Sequence, residues 1–166
     1  MKRGFLWLGG LGLLALWSVL LLVAGWMLGQ SRVVCRIASP DGSSEAIVRA
    51  HPSIDPPAQS LWLGCRGEPT KRLARLAEDL EWCDEIAWSE DGGRVGFLIG
   101  GARLDLYAAP EGRFLGSTRL LPAGVDPGTR EARRVVFSSD GQSVTFANCV
   151  RGQARCYEQT LPLADA

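Results

Sequence analysis

The chain has 166 residues, with 18 lysines and arginines against 18 aspartates and glutamates, so its formal net charge is zero. This balance excludes the basic excess that phosphate binding requires, and no nucleic-acid partner is expected. A hydrophobic share of 46% and a charged share of 22% are typical of a folded protein rather than a disordered one.

The N-terminal segment predicts a membrane anchor. Lys2 and Arg3 are followed by a stretch without charge, from Gly4 to Ser31, and about 20 apolar residues suffice for a helix to cross a bilayer. Residues 1–31 are therefore expected to form a short cytoplasmic tip and a transmembrane helix. Trp7 and Trp26 are about 28 Å apart along such a helix, which would place them at the two membrane interfaces.

The alternative to a retained anchor is a cleaved signal peptide, for which Val23-Ala24-Gly25 is a poor site. The short N-terminal tail favours a single-pass protein of the inner membrane. Residues 32–166 are then one domain on the periplasmic or extracellular side, because roughly 135 residues suffice for one domain but not two.

Five cysteines follow the apolar segment, and in an oxidising compartment two disulfides are expected. Cys149 and Cys156 flank a short polar segment typical of a hairpin tip, which predicts that they pair. Cys65 and Cys83 are the next candidate pair, leaving Cys35 free or bridging two chains. The spacings match neither zinc nor haem motifs, so no metal or cofactor is expected.

A motif recurs with a period near 50 residues, as Ser39-Pro40-Asp41-Gly42, Ser89-Glu90-Asp91-Gly92 and Ser138-Ser139-Asp140-Gly141. Asp-Gly between two apolar runs predicts a β-hairpin, because glycine supplies the positive φ of the turn. Each unit is predicted as two strands joined by this turn and then a third strand. A fourth strand is expected at Lys71–Leu76 and at Arg113–Leu121, but not in the third unit. The repeats lie near residues 33–80, 81–130 and 131–166.

The second unit, from Trp88 to Phe97 with Leu104-Asp105-Leu106-Tyr107 after it, resembles the WD40-like propeller repeat of TolB-type periplasmic proteins. The resemblance extends over roughly Val33 to Pro162 and is partial in the other two units. It implies an all-β domain of about three blade-like antiparallel sheets, arranged as a partial β-propeller or a small sandwich. Closed propellers usually have 4–8 blades, so three arrangements are open: a homodimeric six-bladed ring, a collapsed sandwich or barrel, or open ends covered by a partner.

Candidates for chemistry are few, and no enzyme is predicted. His51 is expected to be an exposed loop residue, the acidic run of residues 78–85 a solvated connector, and Arg130, Arg133 and Arg134 part of a loop between blades. No nucleophile elbow or phosphate-binding loop occurs. The resemblance implies a module that binds protein partners in the cell envelope. The alternatives are a small-ligand sensor or hydrolase formed by a closed oligomeric propeller, and a structural remnant without activity.

Overall fold

The computed structural model of the chain describes residues 17–20, 31–51, 58–76, 82–126 and 128–163. Residues 17–20 are helical, and no helix within these ranges is long and apolar enough to span a bilayer. The predicted anchor over residues 1–31 falls almost wholly outside the described ranges, as do both interfacial tryptophans, Trp7 and Trp26. The transmembrane helix therefore stays a prediction.

The described chain from residue 32 onward is all-β, with eleven strands in three separate antiparallel sheets. The first sheet has the order β1-β2-β3-β4, with strands Arg32–Ala38, Ser44–Ala50, Gln59–Cys65 and Lys71–Arg75. The second has the order β5-β6-β7-β8, with strands Cys83–Trp88, Arg94–Ile99, Arg103–Ala108 and Arg113–Arg119. The third has the order β11-β10-β9, where β9, β10 and β11 are Arg130–Phe137, Ser143–Val150 and Cys156–Pro162. The predicted all-β class with three blade-like repeats is confirmed.

The three Asp-Gly motifs form the hairpin turns between the first two strands of each sheet. Gly42, Gly92 and Gly141 have φ values of 69°, 69° and 67°, the left-handed conformation that a side chain disfavours. In the first turn the N–H of Gly42 donates to the carbonyl of Ser39 at 2.9 Å, and the other two turns repeat this bond. The role predicted for glycine in these turns is confirmed.

The serine and aspartate of each motif form one hydrogen-bonded clasp, repeated three times. In the first copy, the hydroxyl of Ser39 donates to Oδ1 of Asp41 at 2.6 Å and accepts from the N–H of Ser44 at 3.0 Å. Oδ1 of Asp41 also accepts from the N–H of Ser43. The same bonds recur around Asp91 and Asp140. The repeated residues therefore hold the turns together.

Two apolar cores join the three sheets face to face. The first intersheet core lies between the first and second sheets and contains Ala46, Val48, Leu61, Leu63, Leu76, Ile86, Val95, Phe97, Ile99 and Tyr107. The second intersheet core lies between the second and third sheets and contains Ala87, Leu98, Leu104, Leu106, Leu120, Ala132, Val135, Phe137, Val144, Phe146 and Leu163. The second sheet is buried on both faces, which explains why β6 has apolar side chains at consecutive positions rather than a strict alternation.

The outward face of the first sheet carries charged groups. On the first sheet Arg36 pairs with Glu45 at 3.5 Å, and the guanidinium of Arg49 lies 4.8 Å from the centre of the Trp62 ring. A charged outer face caps this end of the stack of repeats against further association, because burying it would cost desolvation free energy.

One detail of the predicted layout is corrected. The prediction placed Arg130, Arg133 and Arg134 in a loop between units, but all three belong to β9, which starts five residues before the apolar run at Val135. The third sheet has three strands among the described residues, as predicted. β9 begins early because β10 is long enough to pair with its whole length, as far as the pair Val150 and Arg130.

Candidate functional site

The open edge of β1 is the strongest candidate for an interaction site. β1 is the terminal strand of the first sheet and pairs only with β2 among the described strands. Its exposed side chains include the aliphatic groups of Val33, Val34 and Ile37, exposed by 46%, 51% and 39%. A sheet edge with exposed apolar side chains can add an extended segment of another protein as a further strand.

Two features restrict which part of β1 can pair with a further strand. A register shift between Val33 and Cys35 leaves a bulge at Val34, a device that restricts edge pairing to a short segment. The carbonyl of Ile37 accepts a hydrogen bond from Nε1 of Trp88 at 3.2 Å, so the C-terminal end of β1 is tied to the second sheet. The exposed N-terminal half also carries the positive charge of Arg32, and an acidic, apolar segment is therefore its complement.

A polar cleft of about 410 Å³ lies between the second and third sheets. Glu85 of β5 lines it, and its carboxylate accepts hydrogen bonds from the N–H groups of Arg134 and Val135 at 2.7 and 3.0 Å. Oδ2 of Asp84 accepts from the N–H of Gly101 at 2.6 Å. The predicted solvated connector over residues 78–85 is thus wrong at Asp84 and Glu85, which belong to β5, whereas residues 78–81 lie outside the described ranges.

The charges around this cleft are largely compensated. Glu131 pairs with Arg133 and, at 3.5 Å, with Arg151. Burial raises the pKa of the Asp84 carboxyl, and the charge of Glu131 adds to this rise. No cluster of three potential metal ligands occurs in the part of the chain that the structure describes. The hydrogen bonds of the residues that line the cleft therefore connect the second and third sheets.

His51 is not the exposed loop residue that the sequence predicts. It is half-buried, and its Nε2 lies 2.7 Å from the hydroxyl of Ser60, which also accepts a hydrogen bond from Nε1 of Trp62 at 2.7 Å. The histidine follows β2 directly, so it stays within reach of the neighbouring strand β3. Ser60 is fully buried, and a buried hydroxyl cannot reach a substrate. The side chains of His51, Ser60 and Trp62 therefore contribute to the packing of the first sheet.

The cysteines confirm one predicted pair and correct the other. Cys149 and Cys156 form a disulfide between directly opposed positions of β10 and β11. Cys65 and Cys83 remain thiols, because Cys65 ends β3 whereas Cys83, the first residue of β5, lies near the other end of β3. Cys65 is the last residue of that strand, whereas the N–H of Cys83 donates to the side chain of its first residue, Gln59, at 2.8 Å. The strand's length of about 20 Å separates them.

Comparison with known proteins finds a solved structure of similar fold but no matching family. No family model matches the chain, and no curated protein matches it. In fold it is similar to part of a solved structure described as the crystal structure of the eukaryotic initiation factor, with a TM-score of 0.51 at 10% identity. The match covers 82% of this chain and 31% of the other, so the chain spans about a third of that protein's length. At this identity the likeness shows the fold alone.

Proposed function

We propose that the chain is a membrane-anchored β-repeat module that binds an extended, acidic and apolar segment of an envelope protein at the open edge of β1. The observation that carries this proposal is the unpaired edge of β1, with Val33, Val34 and Ile37 exposed beside Arg32. Strand addition uses backbone hydrogen bonds for affinity and side chains for specificity. The edge supplies both kinds of contact.

The location of β1 in the chain supports the same proposal. The strand begins at Arg32, directly after the uncharged stretch that ends at Ser31. An anchor there would hold the open edge near the membrane surface, where the proposed partner is an inner-membrane or periplasmic protein. The disulfide between Cys149 and Cys156 fits an oxidising compartment on the outer side of that membrane.

The homodimeric ring is the less favoured arrangement. Two three-sheet units would have to meet through their outward faces, and the outward face of the first sheet carries the ion pair of Arg36 and Glu45. Burying such pairs costs desolvation free energy that ion pairing repays only with good geometry. We infer that the chain is a monomer, and the mass of the full-length protein in detergent micelles tests this.

The test of the binding role is photo-crosslinking in membranes. A photoreactive amino acid replaces Val34 in the full chain, and a matched variant carries it at Phe114, which is equally exposed on the edge strand β8 of the second sheet. The proposal expects a discrete protein adduct at position 34 that is several-fold stronger than at position 114. Equal labelling at both positions, or adducts of lipid alone at position 34, would contradict it.

A further inference from the structure

Two of the three free thiols among the described cysteines lie on the terminal strands of neighbouring sheets. Cys35 lies on β1 and Cys83 on β5, and both are partly buried against the first intersheet core. Cys35 is the one half-buried residue of β1, and the other six are exposed. The two side chains therefore point into the same intersheet space from opposite sides.

The strand registers place the two thiols close together along that space. The N–H of Cys83 donates to the side chain of Gln59, and Gln59 lies opposite Ala50 in the first sheet. Cys35 lies in the neighbouring inward-facing row, opposite Val48. Successive residues on one face of a strand are about 7 Å apart, so Cys35 and Cys83 are offset by about one such step along the strands, whereas Cys65 lies at the far end of β3.

We propose that Cys35 and Cys83 form a second disulfide, joining the first and second sheets, when the protein meets a disulfide-type oxidant. A disulfide requires Cα atoms about 4.4–6.8 Å apart, and β1 has the freedom to adjust because it is an edge strand with a bulge beside Cys35. Burial raises the pKa of the Cys83 thiol, and the charges of Asp84 and Cys35 add to that rise, which agrees with proximity of the two sulfurs.

The chemistry balances with glutathione disulfide as oxidant. The thiolate of Cys35 attacks one sulfur of the oxidant, forming a mixed disulfide and releasing one glutathione thiolate. The thiolate of Cys83 then attacks the Cys35 sulfur and releases the second glutathione. Two protein thiols are oxidised, one glutathione disulfide is reduced to two thiols, and the two thiol protons pass through solvent to the released thiolates.

This cross-link would tie the strand that follows the predicted anchor to the central sheet. β1 is otherwise held by β2 and by the bond from Trp88 to Ile37. A pulling force on the N-terminus would then be transmitted to the second sheet and would not separate β1 from β2. The disulfide does not depend on the proposed partner binding at β1.

Tryptic mapping of the full chain in detergent tests the proposal. Trypsin separates the three thiols, with Cys35 in residues 33–36, Cys65 in 50–66 and Cys83 in 76–94. After oxidation by glutathione disulfide and alkylation, we expect peptide 33–36 joined to peptide 76–94. The joined peptides 135–151 and 156–166, which contain Cys149 and Cys156, are the internal control.

Two variants make the outcome decisive. Cys65→Ser should retain the cross-link, whereas Cys35→Ser should abolish it and leave Cys83 fully alkylated. The proposal is overturned if peptide 50–66 joins either partner, or if peptide 33–36 joins its copy from a second chain. It is also overturned if both thiols stay alkylatable under conditions that oxidise the urea-unfolded chain.

Discussion

The carboxylate of Glu85 holds Arg134 in a left-handed backbone conformation across the junction of the second and third sheets. Its Oε2 accepts the N–H of Arg134 at 2.7 Å, and its Oε1 accepts that of Val135. Arg134 has a φ of 55°, which costs a residue with a side chain about 1–2 kcal/mol. One side chain of the second sheet thus stabilises an irregularity in β9, the terminal strand of the third sheet.

Replacing Glu85 with Ala should destabilise the domain by about 1–3 kcal/mol, because two N–H groups lose a charged acceptor. Urea unfolding of the wild-type protein and the variant measures the difference. Arg134→Gly is the matched control, since it removes the strain and keeps both N–H donors, and it should be neutral or stabilising. A neutral Glu85→Ala would show that water replaces the carboxylate without loss.

The clasp aspartates predict a dependence of stability on acid pH. The hydroxyl of Ser39, followed by the groups of Ser43, lowers the pKa of Asp41 to about 2. Because the folded-state pKa lies below the unfolded one, the stabilisation is fully present above about pH 4 and is lost as the pH falls towards about 2. Asp41→Asn should therefore flatten the stability curve between these pH values. Parallel curves for wild type and variant in chemical denaturation would contradict this prediction.

The disulfide between Cys149 and Cys156 should stabilise the third sheet. Loop-closure scaling for a short hairpin gives about 2 kcal/mol, and the pair joins opposed positions of β10 and β11. The double variant Cys149→Ser and Cys156→Ser should lower the urea midpoint by a corresponding amount. Wild type measured with reductant is the control and should approach the variant. If the two midpoints stay equal without reductant, the disulfide adds nothing to stability.

Gly112 should be less tolerant of substitution than Gly141. Both have positive φ, 64° and 67°, so alanine should cost either site about 1 kcal/mol in backbone strain. An added Cβ at Gly112 would lie 2.6 Å from Cδ2 of Leu73, whereas nothing lies within 4 Å at Gly141. Urea unfolding should therefore show a larger loss for Gly112→Ala. Equal losses would mean that Leu73 moves aside without cost.

Structural features that depend only on residues adjacent in the sequence could be predicted from it. Each Asp-Gly turn is specified by its own glycine, and the bond between Cys149 and Cys156 closes a single hairpin. The partner of Cys83 and the contacts of Glu85 depend on how the sheets pack, and no spacing in the chain encodes that. The contact of His51 with Ser60 likewise depends on how β2 and β3 pair, which the residues next to His51 do not encode.

The sequence predicts the strand at the candidate site but not the exposure of its apolar side chains. Val33, Val34 and Ile37 are apolar and predict a strand, and apolar residues normally indicate burial. Their exposure follows from the position of β1 at the end of its sheet. A strand's place at an edge is a property of the assembled domain, which explains why the site appears only in the structure.

The most direct test of strand addition is amide hydrogen exchange along β1. Exchange in the full chain is measured before and after adding the partner protein captured by the photoreactive group at position 34. The account predicts slower exchange in residues 32–36 and unchanged exchange in β8, which also forms an edge. Unchanged exchange along β1, with slowing elsewhere in the domain, would contradict binding at this edge.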